Sequence, residues 1–274
     1  MDKADYLDFG GAEAARSLDV PGALGYLTAQ GFGGGYLEQA RAAVQAHRTR
    51  TFEFEPLNAD YCDFCFAKLM GGEFDRLADG RERCVHCSRH VLRTHEQFVE
   101  TFLATKSDFE LGFTVQLNVP MTVRMVNANQ IARRSGEAFE PTPGVDARVL
   151  GYAEKKADGC TLFIENGSPR LSAVITIAHE LTHIWQYLNW DETEIDRRYG
   201  PQHALVVHEG MATWAQVQYL LLMGEFDDAE RQEAYARQRT DEYGVGFRLF
   251  CQRYPLRRAA ALGGDTPFRH RFPL

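Results

Sequence analysis

The sequence predicts an α+β fold in which a small metal-binding module precedes a larger mixed domain. Three observations support this prediction. Two CxxC pairs occur within residues 62–87, the middle of the chain carries short segments with β patterning, and longer segments with helical periodicity follow from residue 168. Runs of strands followed by runs of helices are typical of α+β proteins. We therefore divide the chain into a helical N-terminal segment (1–57), a four-cysteine module with the helix that follows it (58–106) and a mixed domain (107–274).

The composition is that of a globular, acidic protein. The 274 residues are 45% hydrophobic, enough for a sizeable core, and the net charge is −8. This charge argues against electrostatic binding to nucleic acid or to an anionic membrane surface. The first residues lack the basic start and apolar core of a signal peptide, and no stretch approaches the roughly 20 apolar residues of a membrane span. We expect a cytoplasmic protein with neither nucleic acid nor membrane as a partner.

The four cysteines of the CxxC pairs are the predicted ligands of one structural zinc ion. Cys62 and Cys65 form the first pair, Cys84 and Cys87 form the second, and eighteen residues separate the pairs. Four thiolates complete a tetrahedral site and leave no open position. We therefore expect a four-cysteine zinc-ribbon or LIM-like module with two short strands between the pairs. A redox function is the alternative, although it does not require two pairs. We also expect that this module can bind a protein partner.

A helix and then three strands are among the elements expected after the second CxxC pair. The helix covers about 94–106, and the strands cover 113–125, 149–155 and 161–165. Pro120 indicates an edge strand or a bulge in the first of them, and a hairpin turn joins the other two.

An HExxH motif, His179-Glu180-Leu181-Thr182-His183, lies within the next predicted helix. Apolar residues at three- and four-residue spacing indicate this helix, and Pro169 fits its first turn. Histidines four residues apart on a helix project from one face, so His179 and His183 can bind one metal ion. In this motif Glu180 lies beside a metal-bound water as general base, the arrangement of a catalytic zinc site. The alternative is a chance match in an ordinary amphipathic helix.

A third metal ligand is expected on the following helix, predicted at residues 201–223. Glu209 lies 26 positions after His183 and precedes small residues, which suits a gluzincin-like site with its glutamate on a separate helix. The class with glycine three and histidine six residues after the second ligand is excluded, because Gln186 and Asn189 occupy those positions. His208 is the alternative third ligand.

Two further helices are expected after residue 223. Tyr243, which lies near two glycines, is the first candidate to donate a hydrogen bond to a developing oxyanion, and His203 is the second. A packed aromatic side chain is the alternative interpretation of Tyr243.

These motifs together resemble a known family, the ubiquitin-activated LIM-domain zinc peptidases that limit organ growth in plants, with their shorter bacterial relatives. Besides the CxxC pairs and the HExxH helix, the resemblance rests on Leu77-Ala78-Asp79-Gly80-Arg81, Thr94-His95-Glu96, Gly167-Ser168-Pro169-Arg170-Leu171, Trp185, Glu209-Gly210, Tyr243-Gly244, Gly246-Phe247-Arg248 and Arg271-Phe272-Pro273. It implies a zinc peptidase with His179, Glu180 and His183 in its active site. The single set of CxxC pairs corresponds to half of a LIM domain. The resemblance therefore does not imply that this chain is activated by ubiquitin or acts on the plant substrates.

We therefore expect a zincin-like metallopeptidase domain with an N-terminal zinc-ribbon or half-LIM module. The expected activity is that of a zinc metalloendopeptidase with one catalytic and one structural zinc ion, acting on a peptide or protein substrate. The alternative is a zinc-stabilised protein-interaction module whose HExxH site is inactive or latent.

Overall fold

A computed structural model describes residues 61–69, 74–77, 81–126, 151–156, 159–259 and 262–274. The predicted helical segment 1–57 lies outside these ranges. The described residues form a mixed α+β structure, which confirms the fold class at this level. None of the helices in these ranges is both long and apolar enough to cross a membrane.

The strands and helices of the described ranges have the following bounds. In the described ranges the strands are β1 Phe74–Arg76, β2 Glu82–Cys84, β3 Met121–Val126, β4 Gly151–Lys156 and β5 Gly159–Glu165. The helices are α1 Val85–Arg89, α2 His95–Phe113, α3 Arg170–Asn189, α4 Glu192–Tyr199, α5 Pro201–Met223, α6 Phe226–Gln238 and α7 Glu242–Arg253, and a short 3₁₀ helix covers Pro267–Arg269.

Contacts divide the described residues into two compact units. One comprises Phe109–Val115 and Asp196–Leu274, and the other comprises the described residues before Phe109 together with Gln116–Ile195. The domain boundaries proposed from the sequence, after residues 57 and 106, stay predictions.

A three-stranded sheet leads into the HExxH helix. Its strand order is β3-β5-β4, with β5 parallel to β3 and antiparallel to β4. Leu162 in the central strand pairs with Val123 on one side and Ala153 on the other. Every residue of β5 after Gly159 is buried, which indicates that both faces of this central strand are covered. Helix α3 starts five residues after β5 and packs against β4 and β5.

Helix α2 is longer than the sequence predicted, and β3 is correspondingly shorter. A capping box begins the helix, because the Gln97 amide donates to the Thr94 hydroxyl at 3.2 Å and the Thr94 amide donates to the Gln97 side chain at 3.3 Å. The predicted end near residue 106 and the predicted strand start at residue 113 are wrong. The helix continues to Phe113, which is buried against Phe109 at a ring distance of 4.7 Å, and β3 starts only after Pro120.

The unit that comprises Phe109–Val115 and Asp196–Leu274 has an aromatic core and a close contact between α5 and α7. Phe113 packs against Trp214 of α5 at a ring distance of 6.1 Å, and the Trp214 indole N–H donates to the Tyr254 carbonyl at 2.8 Å. A Cβ atom at Gly246 of α7 would lie 2.5 Å from the Cα atom of Gly210 in α5. The two glycines therefore allow the helix backbones to touch directly beside Glu209.

Candidate metal centres

The side chains of the four cysteines predicted as zinc ligands form one cluster. Cys62 and Cys65 lie in a turn before β1, Cys84 ends β2, and Cys87 lies in α1. Their sulfur atoms all lie within 4.8 Å of one another, and the Sγ atoms of Cys65 and Cys84 are 3.8 Å apart. Two sulfur atoms bound to one tetrahedral zinc ion at about 2.3 Å are separated by about 3.8 Å. The cluster can hold a metal ion, and its dimensions fit zinc.

Local structure directs backbone donors at these sulfurs. The antiparallel pair β1 and β2 returns the chain to the first CxxC turn, as predicted, and the Cys84 amide donates to Cys62 Sγ at 3.4 Å. The Cys87 amide donates to Cys84 Sγ at the same distance. Hydrogen bonds from the other thiols, foremost Cys62, lower the pKa of Cys84, whereas those made with Cys62 raise the pKa of Cys87. A divalent cation relieves this competition because it stabilises all four thiolates together.

The HExxH histidines converge in the same way. Both lie on α3, and their Nε2 atoms are 3.1 Å apart. Two nitrogens bound to one tetrahedral zinc ion at about 2.0–2.1 Å are about 3.3 Å apart. The geometry therefore fits two ligands of one ion through Nε2. His183 is only 9% exposed and Glu180 only 6%, so the motif faces the interior at these positions.

Gln186 orients the second histidine, a role that the sequence analysis missed. Its Oε1 atom lies 2.9 Å from Nδ1 of His183, and the Gln186 side chain is fully buried. When Nε2 binds a metal ion, Nδ1 carries the ring proton and donates it to this oxygen. The signal was available in the sequence, because residues three apart on a helix are neighbours. Gln186 was considered there only as a residue that excludes another ligand pattern.

Glu209 forms a candidate metal cluster with the two histidines, and His208 is not a member of this cluster. The ligand atoms of His179, His183 and Glu209 lie within 4.8 Å of one another, and among the described residues this group and the four cysteines are the two candidate metal clusters. Ligand atoms of one tetrahedral zinc ion are roughly 3.3 Å apart, a separation that lies inside this limit. Two imidazoles and one carboxylate can thus bind a metal ion and leave a fourth position open.

The candidates for oxyanion stabilisation lie in α7 and α5. Tyr243 occupies the first turn of α7, and the Arg239 guanidinium lies 4.1 Å from the centre of its ring. Arg239 also forms an ion pair with Asp241 at 2.6 Å. His203 is exposed in the first turn of α5. The role of either residue in catalysis stays a prediction.

Comparisons of the chain with protein-family models, with curated proteins and with solved structures find no match.

Proposed function

We propose that the chain is a zinc-dependent metallopeptidase that hydrolyses peptide bonds in a peptide or protein substrate. The observation that carries this proposal is the 3.1 Å approach of the two Nε2 atoms within an HExxH helix. Glu209 supplies a carboxylate to the same cluster. Two histidines and one glutamate are the ligand set of the gluzincin-like zinc peptidases, in which the fourth position stays available. The similarity of the sequence motifs to those of the LIM-domain peptidases favours the same assignment.

The proposed mechanism assigns proton transfer to Glu180. His179, His183 and Glu209 would hold a zinc ion, which would act as a Lewis acid toward the substrate carbonyl and lower the pKa of bound water. Glu180 directly follows His179 in α3, and it is only 6% exposed. It accepts the proton of the attacking water and passes it to the leaving amine.

Two further side chains have supporting roles in this proposal. Gln186 holds the His183 ring with Nε2 directed at the metal position, because its Oε1 atom accepts the Nδ1 proton. Tyr243 is the proposed donor to the oxyanion of the transition state. The Arg239 guanidinium over its ring restricts the orientations that the phenol can adopt.

The four-cysteine cluster is assigned a structural zinc ion. Four sulfur ligands complete the tetrahedron and leave no position for substrate or water. The burial of Cys62, Cys65 and Cys87 agrees with a structural site. Zinc bound there stabilises the folded module, since the unfolded chain cannot present the same ligand geometry.

The test combines metal content with cleavage of a diverse peptide library. Wild-type protein is expected to hold about two zinc ions per chain and to cleave peptides, with cleavage lost on chelation. Glu180→Gln is expected to keep the zinc and to lower the cleavage rate by about 10²–10⁴-fold, the usual contribution of a general base. The matched control is Glu192→Gln, an exposed glutamate in α4, which should cleave at the wild-type rate.

The outcomes separate the proposal from its alternative. Equal cleavage by wild type and Glu180→Gln contradicts the assignment of the base. Two zinc ions without any cleavage support a zinc-stabilised interaction protein with a latent HExxH site. Fewer than two zinc ions in folded wild-type protein contradict one of the two metal assignments.

A further inference from the structure

The first turn of the HExxH helix lacks a side-chain cap of its own. The residue before α3 is Pro169, which makes no side-chain hydrogen bond to the helix. The first backbone N–H groups of any helix have no partner within the helix and need acceptors from elsewhere. Here the Arg170 amide donates to the His90 carbonyl at 2.8 Å. His90 is the C-cap residue directly after α1, the helix that carries Cys87. The four-cysteine module thus supplies an acceptor at the start of α3.

A short strand-like contact extends this cap. Val91 and Pro169 form an antiparallel bridge, and the Leu92 amide donates to the Ser168 carbonyl at 3.0 Å. Together with the bond from Arg170 to His90, this contact fixes three successive residues before and at the start of α3. Leu171, one residue later, packs against the apolar cluster formed by the cysteines and their neighbours.

A buried ion pair fixes the other end of the segment that joins β5 to α3. Arg81 of the four-cysteine module forms a two-pronged pair with Glu165, the last residue of β5, with one bond of 2.9 Å from Nη1 to Oε2 and a second from Nη2 to Oε1. Both side chains are only 5% exposed. The Arg81 guanidinium also lies 4.8 Å from the centre of the Phe64 ring, and Phe64 lies between Cys62 and Cys65. The orientation of Arg81 therefore depends on the first CxxC turn.

We propose that the four-cysteine module caps and positions the HExxH helix, with Arg81 and Glu165 as positioning residues for the metal ligands His179 and His183. The inference rests on the proposed function of that metal centre and extends it with a means of control. If the four-cysteine site loses its metal, the carbonyl of His90 and the guanidinium of Arg81 lose their fixed places. The start of α3 then loses its cap and its anchor.

Helix geometry shows why a contact at the start of α3 matters at the metal site. His179 lies nine residues after Arg170, which corresponds to roughly 14 Å along the helix axis. A tilt of about 5° at the first turn therefore moves His179 by roughly 1 Å. Displacements of about 1 Å are enough to weaken a metal site, because its ligands must meet within a few tenths of an ångström.

The experiment measures metal binding and local exchange, without relying on cleavage. Glu165→Gln leaves Arg81 buried without its carboxylate. We expect amide hydrogen exchange in residues 166–176 to be at least about tenfold faster and the affinity of the histidine site for Zn²⁺ to fall about tenfold, by analogy with lost outer-shell contacts. Metal binding by the four cysteines should be retained. The control is Arg76→Gln, which breaks an exposed ion pair with Glu82 in the same module, where Arg76 is 70% exposed.

A second variant separates positioning from misfolding. Arg81→Met combined with Glu165→Met removes both charges and keeps apolar side chains of similar length, a replacement that buried ion pairs often tolerate. We expect this variant to fold, by circular dichroism, and to show the same losses in exchange protection and Zn²⁺ affinity. A folded double variant with wild-type exchange and wild-type affinity overturns the proposal. If wild-type protein binds Zn²⁺ but cleaves no peptide, the peptidase assignment fails while these two measurements still decide the positioning role.

Discussion

Gln186→Leu is expected to weaken metal binding by His183 without unfolding the protein. The Gln186 Oε1 atom lies 2.9 Å from His183 Nδ1, and the side chain is fully buried, so water cannot take the place of the lost acceptor. Leucine has a similar volume and no acceptor. The metal-free protein tolerates the change, because a neutral imidazole can carry its proton on Nε2 instead. The metal-bound protein cannot do so, since Nε2 is then the ligand.

The size of the effect follows from this difference between the two states. A buried N–H group without a partner costs about 1–3 kcal/mol. Every 1.4 kcal/mol or so changes an equilibrium constant tenfold, so the dissociation constant should rise by about 5–150-fold. Losses of about 10–100-fold are typical when an outer-shell partner of a metal-binding histidine is removed. We therefore expect roughly a tenfold to hundredfold loss of affinity.

Cobalt(II) provides the assay, because thiolate ligands give intense absorption bands that identify the four-cysteine site. Titration in the presence of a competing chelator then gives the affinity of the histidine site separately. Gln186→Glu retains an acceptor and should bind at least as tightly as wild type. Asn189→Leu is the control for a lost amide on the same helix, since the Asn189 side chain donates to the Trp185 carbonyl and not to a histidine. Wild-type affinity in folded Gln186→Leu would refute the reasoning.

Two further predictions concern stability. In Gly246→Ala the new Cβ atom would lie 2.2 Å from the Val206 carbonyl oxygen. Overpacking should cost about 1–3 kcal/mol, which outweighs the roughly 1 kcal/mol gained from the helix propensity of alanine. The melting temperature should therefore fall. Gly263→Ala, whose Cβ atom would have no neighbour within 4 Å, should melt like wild type; equal melting of both variants would show that α5 and α7 can separate freely. Burial raises the pKa of the Asp108 carboxyl to about 6, so its charge costs stability above pH 6, and this cost disappears as the pH falls below the unfolded value of about 3.9. Asp108→Asn should therefore stabilise the protein by about 1–2 kcal/mol at pH 7.5, with allowance for partial exposure to solvent, and make no difference near pH 4 in urea unfolding; a gain independent of pH would contradict the raised pKa.

The candidate ligands could be predicted because their spacing is a local property of the chain. A CxxC pair places two sulfurs on one turn, and residues i and i+4 of a helix share a face, so Cys62 with Cys65 and His179 with His183 need no knowledge of the fold. Glu209 is different, since its membership of the candidate cluster cannot follow from local spacing. The sequence could suggest it from the small residues after it. The approach of Gly246 to Gly210 gives that pattern its physical reason.

The end of α2 could not be located in the same way. Its predicted limit near residue 106 relied on local pattern, whereas the actual limit depends on the burial of Phe109 and Phe113 among aromatic rings from distant parts of the chain. Tertiary packing commonly overrides local preference at element boundaries. The pair of Arg81 and Glu165, 84 positions apart, is likewise a product of the fold.

Pro169 shows what a start signal in a sequence does and does not contain. Proline suits the beginning of a helix because its fixed φ is compatible with the first turn, and α3 begins one residue after Pro169. Proline also has no side-chain acceptor for the N–H groups that follow it. A helix that begins in this way needs an acceptor from another segment, and here the His90 carbonyl of the four-cysteine module supplies one. Pro169, which indicates the start of the HExxH helix in the sequence, therefore also makes the first turn of this helix depend on the four-cysteine module.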